Sequence, residues 1–428
     1  METKDTSTST GTNTGTNTDT SSDTDTNLHQ QPADAQYTFE FNGKAGEYFR
    51  IWIVNLLLTI VTLGIYSAWA KVRDQRYING STVLAGSSFE YTAEPKRILI
   101  GRIIGLVIFG IYNVIGTFYP TFAFVALAAI MCFIPAAIVL SMQFRHRNTV
   151  WRGIRFSFAG NFKAAYKVFS PFIVIAIILA VIPFVVDLSS FMGENEEAQT
   201  AAQIACLENN SGPEDASECI NPDASSANPA DFEFPSHLQW ALYAFGALYF
   251  IALLAFPWWQ TIYYRFLADN SNYGQSNFSL PISSWPFYKM YLVALALIVI
   301  AIILSSIFGG VFGALGIFLF SAAFIFANAY ITTTKTNILY SNLSIEGVHF
   351  TSTLSTSKML WLYISNTFAI ILSLGLLIPW ARVRTLKYRA SETRVYSVEL
   401  DNFVNRQVDD ENALGEEVGE VFGLDIGI

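Results

Sequence analysis

The chain has 428 residues, 52% of them hydrophobic and only 14% charged, and its mean hydropathy is +0.38. Too few charges remain to cover a water-facing surface, which excludes an ordinary soluble globule and makes the bilayer the natural solvent. The formal charge of -9 does not describe the whole surface, because the acids gather at 187–233 and 399–425 while Lys and Arg sit beside the apolar segments.

Residues 1–36 form a low-complexity Thr, Ser, Asn and Asp tract with no secretory signal pattern, and read as a disordered cytoplasmic tail. From 37 to 400 the chain reads as a polytopic membrane domain, and 401–428 as an acidic C-terminal tail. Eight stretches approach the roughly 20 apolar residues that a helix needs to cross a hydrocarbon core of about 30 Å. They run from Tyr48 to Ala70, Ile98 to Phe118, Phe122 to Phe144, Val168 to Val186, Leu238 to Tyr263, Tyr288 to Ile307, Val311 to Ile331 and Met359 to Ala381. The second and third, fourth and fifth, and sixth and seventh pair as hairpins whose tips lack Lys and Arg. The expected class is all-α and polytopic, with six to eight transmembrane helices in hairpins and small cytoplasmic β-hairpins between them.

No Lys or Arg lies between Lys167 and Arg265, and this gap holds the acidic loop 188–236. Short loops rich in Lys and Arg stay cytoplasmic, so the loop is expected in the periplasm and both termini in the cytoplasm. Cys206 and Cys219 share that loop; an oxidising compartment would let them bridge, and the alternative is two unpaired thiols. Gly101 with Gly105, and Gly309 with Gly313, have the spacing that lets helices approach closely. Trp240, Trp258, Trp259, Trp285 and Trp361 fall near predicted span ends, as in an interfacial belt.

Between the helical hairpins a short motif recurs, a period-two run followed by a Gly and alternating apolar residues. It occurs from Val83 to Tyr91 through Gly86, Val150 to Phe158 through Gly153, and Ser344 to Ser352 through Gly347, with a looser form around Gly274 and a half copy at Phe39 and Phe41. This spacing predicts β-hairpins. Open strand edges do not survive in hydrocarbon, so the hairpins belong at the cytoplasmic helix ends, either paired with one another or as independent turns.

A shift of 311 positions superimposes Asn55 on Asn366, Gly64 on Gly375, Trp69 on Trp380, Val72 on Val383, Arg73 on Arg384 and Tyr77 on Tyr388. If both segments crossed fully, three intervening hairpins would put one of the two basic ends outside, against the positive-inside rule. Both are therefore expected to re-enter, breaking at Leu63-Gly64 and Leu374-Gly375 and placing Trp69 and Trp380 at the interface. The alternatives are an inverted pair of true spans or a miscounted hairpin.

No zinc signature, P-loop, dinucleotide fingerprint or nucleophile elbow is present, so neither an enzyme nor a cofactor is indicated. No acid or His stands deep in a span, where an ion-coupled transporter usually keeps one. The polar span residues are neutral, among them Asn55, Asn113, Gln260, Asn328 and Asn366.

The block YFRIWIVNLLLTIVTLGIYSAWA from Tyr48, preceded by FEFNG from Phe39, resembles the start of the YjgN-like family of bacterial inner-membrane proteins. GIRFSF from Gly153 and NLSIEG from Asn342 are similar to later motifs of that family. The resemblance implies a multi-pass inner-membrane protein and brings no assigned reaction with it. Two classes of function follow. The first is a conduit for a small neutral or amphipathic solute or lipid, lined by Asn55, Gly64, Asn366 and Gly375, with Arg73 and Arg384 at its cytoplasmic mouth. The second is a non-catalytic scaffold that binds a partner through its β elements or outer loop. Expected partners are the lipid bilayer and a membrane protein or second copy, with nothing pointing to nucleic acid.

Overall fold

The computed structural model describes residues 35–185, 236–312 and 314–407. Its architecture follows from the two-residue turns that the recurring glycines make. At Ala85-Gly86, Arg152-Gly153 and Glu346-Gly347 both residues have positive φ, the conformation that matches a tight turn to the right-handed twist of the strands. The turns join β3 (Thr82–Leu84) to β4 (Ser87–Tyr91), β5 (Thr149–Trp151) to β6 (Ile154–Phe158), and β9 (Ser344–Ile345) to β10 (Val348–Ser352). Gly274, with φ 59°, turns β7 (Ser271–Tyr273) into β8 (Ser276–Asn277).

The hairpins pair with one another. Phe89 stands opposite Trp151 between β4 and β5, and Phe156 opposite Tyr273 between β6 and β7. Beyond β8, Ser279 and Ser344 exchange backbone hydrogen bonds at 2.8 and 3.0 Å, which reaches β9. β10 pairs with β11 (Thr393–Ser397), and β11 with β1 (Ala35–Thr38) at the other end of the chain. At Phe39 the chain crosses over: its N–H still bonds Thr393, while β2 (Glu40–Phe41) pairs with β3. The hydrogen-bonded order of the described strands thereby closes on itself.

Among the described residues, five helical excursions leave this strand ring and return to it. They are α1 (Ala45–Val61) with α2 (Ser67–Ser81), α3 (Pro95–Phe118) with α4 (Pro120–Arg147), α5 (Phe162–Val185) with α6 (Ser236–Asp269), α7 (Trp285–Phe312) with α8 (Ala314–Ser341), and α9 (Thr356–Leu372) with α10 (Ile378–Ser391). Each helix packs on the next, and α1 packs on α10, so the helix order closes as well. Among the described residues five helices are long and apolar enough to cross a membrane: Pro95–Phe118, Phe122–Arg147, Phe162–Val181, Trp285–Ile307 and Leu315–Ser341. Six full spans were expected; the remaining one falls in α6, part of whose side chains lie outside the described residues.

Some expectations change. Gly101 and Gly105 in α3 face open space, with nothing within 4 Å of where a Cβ would stand, so they bring no helix close. The packed chain runs past 400 into a terminal helix at 400–407, whose Leu400, Phe403 and Val404 are buried. Cys206, Cys219, the loop 188–235, Gly313 and the terminal stretches 1–34 and 408–428 lie outside the described residues.

Candidate functional site

The two broken segments carry matching contacts 311 positions apart. Both break at the expected glycine: Leu63 and Gly64 have φ of 50° and 92°, and Leu374 and Gly375 have 51° and 92°. Every backbone donor through the first elbow finds a local acceptor, Gly64 N–H on Thr59 O at 2.7 Å and Tyr66 N–H on Thr62 Oγ1 at 2.9 Å among them. Gly375 N–H on Ile370 O at 2.8 Å and Leu377 N–H on Ser373 Oγ at 3.0 Å reproduce this. An elbow that satisfies its own backbone needs no wet cavity to stand in hydrocarbon. Leu63 and Leu374, each 94% exposed at the tips, fit such a surrounding.

The Tyr77 hydroxyl accepts from Lys44 N–H at 2.8 Å and donates to Lys44 O at 3.0 Å, tying the end of α2 to the start of α1. Burial raises the pKa of this hydroxyl above its ordinary value, which preserves the donor. Tyr388 accepts from Ser355 N–H at 2.8 Å in the same way. Asn55 and Asn366 are buried and donate across their own elbows, to Ala70 O at 3.5 Å and to Ala381 O at 3.3 Å. They brace the two arms. Trp69 stacks on Tyr66 and Arg73 is exposed. The Arg384 guanidinium lies over Trp380 and bonds Ser365 Oγ at 2.6 Å. Arg384 lines a shallow cavity of about 460 Å³ with Lys358, Trp361 and Tyr388.

The structure assembles a second feature that single segments do not reveal. Each β-hairpin turns one apolar face inward, and Leu84, Trp151, Ile154, Tyr273, Ile345, Val348 and Val395 meet inside the strand ring, closed below by Leu400, Phe403 and Val404. A chamber of about 280 Å³ remains among them. Its lining includes Phe39, Phe89, Trp151, Phe156, Tyr273, Phe278, Phe350 and Phe403, and no polar surface. The two polar handles are turned away: Tyr273 donates to Trp151 O at 3.1 Å and Trp151 Nε1–H to Ser87 O at 3.3 Å.

An antechamber of about 400 Å³ adjoins it where the C-terminal ends of α4, α6 and α8 converge. Phe156, Phe278 and Leu343 line both spaces and form the wall between them. Met142, Tyr264, Leu267, Leu280 and Leu339 make the rest of the antechamber largely apolar, with Arg145 and His146 at one side. His146 is engaged, Nδ1 with Met142 O at 2.8 Å and Nε2 with Ser271 Oγ at 3.0 Å. None of the eight residues singled out from the sequence lines the chamber or the antechamber. The signal that could have found these spaces was the inward phase of Phe89, Trp151, Phe156 and Phe350 about the turn glycines.

Residues 36–421 match the family described as "Bacterial protein of unknown function (DUF898)". The chain belongs to this family. It is 22% identical over 415 residues to "Inner membrane protein YjgN" of Salmonella typhimurium, covering 88% of this chain and 93% of that one. The proteins of the same name from Escherichia coli O157:H7 and Escherichia coli strain K12 match over 133 residues at 27% and 28% identity, covering 31% of this chain and 33% of theirs. No solved structure matches. With its apolar helices, this DUF898 member is a multi-pass inner-membrane protein.

Proposed function

We propose that this DUF898 protein is a conduit for amphipathic molecules, lipid among them, which enter the antechamber from the bilayer and reach with their apolar chains into the chamber of the strand ring. The observation that carries this reading is the common wall of Phe156, Phe278 and Leu343 between two adjoining apolar spaces. An apolar void walled by aromatic side chains stays dry and favours an apolar guest. The path therefore runs through the junction of helices and strands, and the two elbow segments frame it as paired copies of one re-entrant unit.

The strand ring is read as cytoplasmic. Arg145, Arg147, Lys163, Lys167 and Arg265 all lie where helices meet strands, which the positive-inside rule assigns to the cytoplasm. Each elbow segment leaves and rejoins paired strands, β2 with β3 and β10 with β11, which supports re-entry rather than crossing. A scaffold working by strand addition draws less support, because seven of the eleven described strands already have a partner on both sides and the end strands are short, two to four residues each.

The test is transfer of a fluorescent short-chain lipid from labelled to unlabelled vesicles containing the full chain. Leu343→Trp, which fills the shared wall, should slow transfer at least several-fold while gel filtration shows the same monodisperse protein. Transfer no faster than in protein-free vesicles, or unaltered by the filled wall, rejects the conduit.

A further inference from the structure

We propose that the amphiphile has a single apolar chain and an anionic head, the chain passing between Phe156, Phe278 and Leu343 into the chamber and the head staying in the antechamber on Arg145. This rests on the conduit reading and adds the class of molecule. Size argues for one chain. At about 280 Å³ the chamber falls just below the ~300–1,000 Å³ range of ligand sites, too small for the paired tails of a phospholipid.

Charge argues for the head. No carboxylate lines the antechamber, and both ring nitrogens of His146 are occupied. Arg145 is exposed, and among the described residues no partner holds its guanidinium. Tyr264 and Tyr340 line the same space. A guanidinium with its fork of donors beside a greasy cavity suits a carboxylate or a phosphate monoester at the end of an alkyl chain. The chamber itself offers nothing polar, so a head cannot follow the chain inside.

Trp151, which lines the chamber, provides the readout. The full-length protein in detergent would be titrated with a long-chain fatty acid dibrominated at mid-chain, with the corresponding lysophosphatidic acid, and with the uncharged dibromo-alcohol. The part of the quenching that Trp151→Phe removes reports chain entry. Both acids should quench this component, and Arg145→Gln should weaken them about tenfold while leaving the alcohol unchanged. The two acids compared with each other show whether carboxylate or phosphate is preferred. Alcohol and acids binding alike, or Arg145→Gln without effect, overturns the anionic head while the chamber stands. Absence of Trp151-dependent quenching by all three overturns the chamber itself, and with it the conduit.

Discussion

Arg382 of α10 reaches Asp74 of α2 at 3.0 Å, and this ion pair lies at the junction where the last helices meet the first. Its neighbour is Tyr48, whose ring lies under the guanidinium and whose hydroxyl bonds Asp74. The pair is half-buried, with side chains 42% and 19% exposed, so its coupling should exceed that of a fully solvated pair. Asp74→Asn and Arg382→Gln should each lower the thermal midpoint, and a double-mutant cycle should return a coupling of about 1 kcal/mol. Strictly additive effects would show that the pair contributes nothing to closure.

The elbow glycines should be intolerant for conformational reasons. Nothing stands within 4 Å of a Cβ built on Gly64, so its replacement meets no clash, only the φ of 92°. Gly64→Ala and Gly375→Ala should each cost about 1–2 kcal/mol, the penalty of a side chain in left-handed backbone. Gly101→Ala, inside α3 with ordinary helical φ, should instead be neutral or stabilising by up to about 1 kcal/mol. Unfolding in detergent under one set of conditions compares the three.

The two braces should differ in worth. Asn366 donates to Ala381 O and Thr385 Oγ1 and accepts from Arg384, whereas Asn55 makes one long bond of 3.5 Å and its buried Oδ1 has no partner. Asn366→Leu should cost about 2 kcal/mol and Asn55→Leu under about 1 kcal/mol. Neither should change amphiphile quenching, because neither side chain lines the chamber; a loss of binding in Asn55→Leu would return the path to the elbows.

The terminal helix should control chamber size. Phe403 is 4% exposed and packs on Tyr273, so Phe403→Ala should destabilise by about 3–5 kcal/mol and leave a larger void. Bulkier chains should then bind. Asp401, 76% exposed in its pair with Arg152, should be worth under about 1 kcal/mol when changed to Asn.

Residues 63–64, 85–86 and 374–375 show what was legible beforehand. A backbone that must turn left marks itself with glycine, so the elbows and three of the hairpins could be read directly. Closure could not, because β2, β8 and β9 are two residues each, and a two-residue strand has no period to detect. Its partners are chosen by the hairpins alongside and, for β1 with β11, by residues at opposite ends of the chain. The terminal helix escaped because Leu400, Phe403, Val404 and Gln407 are interspersed with charged residues and read as an acidic tail, while Gln407 in fact holds Gln275 N–H and Ser276 Oγ. The pairing of Asn55 with Asn366 is legible from the repeat, whereas their bonds to Ala70 O and Ala381 O are not. Periodicity locates a polar residue on a helix without saying which carbonyl it meets.

The pairing of Ala35 with Ser397 and of Thr38 with Arg394 has a consequence for biogenesis. The first described strand to leave the ribosome waits for the last, and throughout synthesis its edge stays unmated. Any message truncated before residue 393 yields a protein inserted in the bilayer but unable to finish its own circumference. Quality control could recognise that product by its open seam.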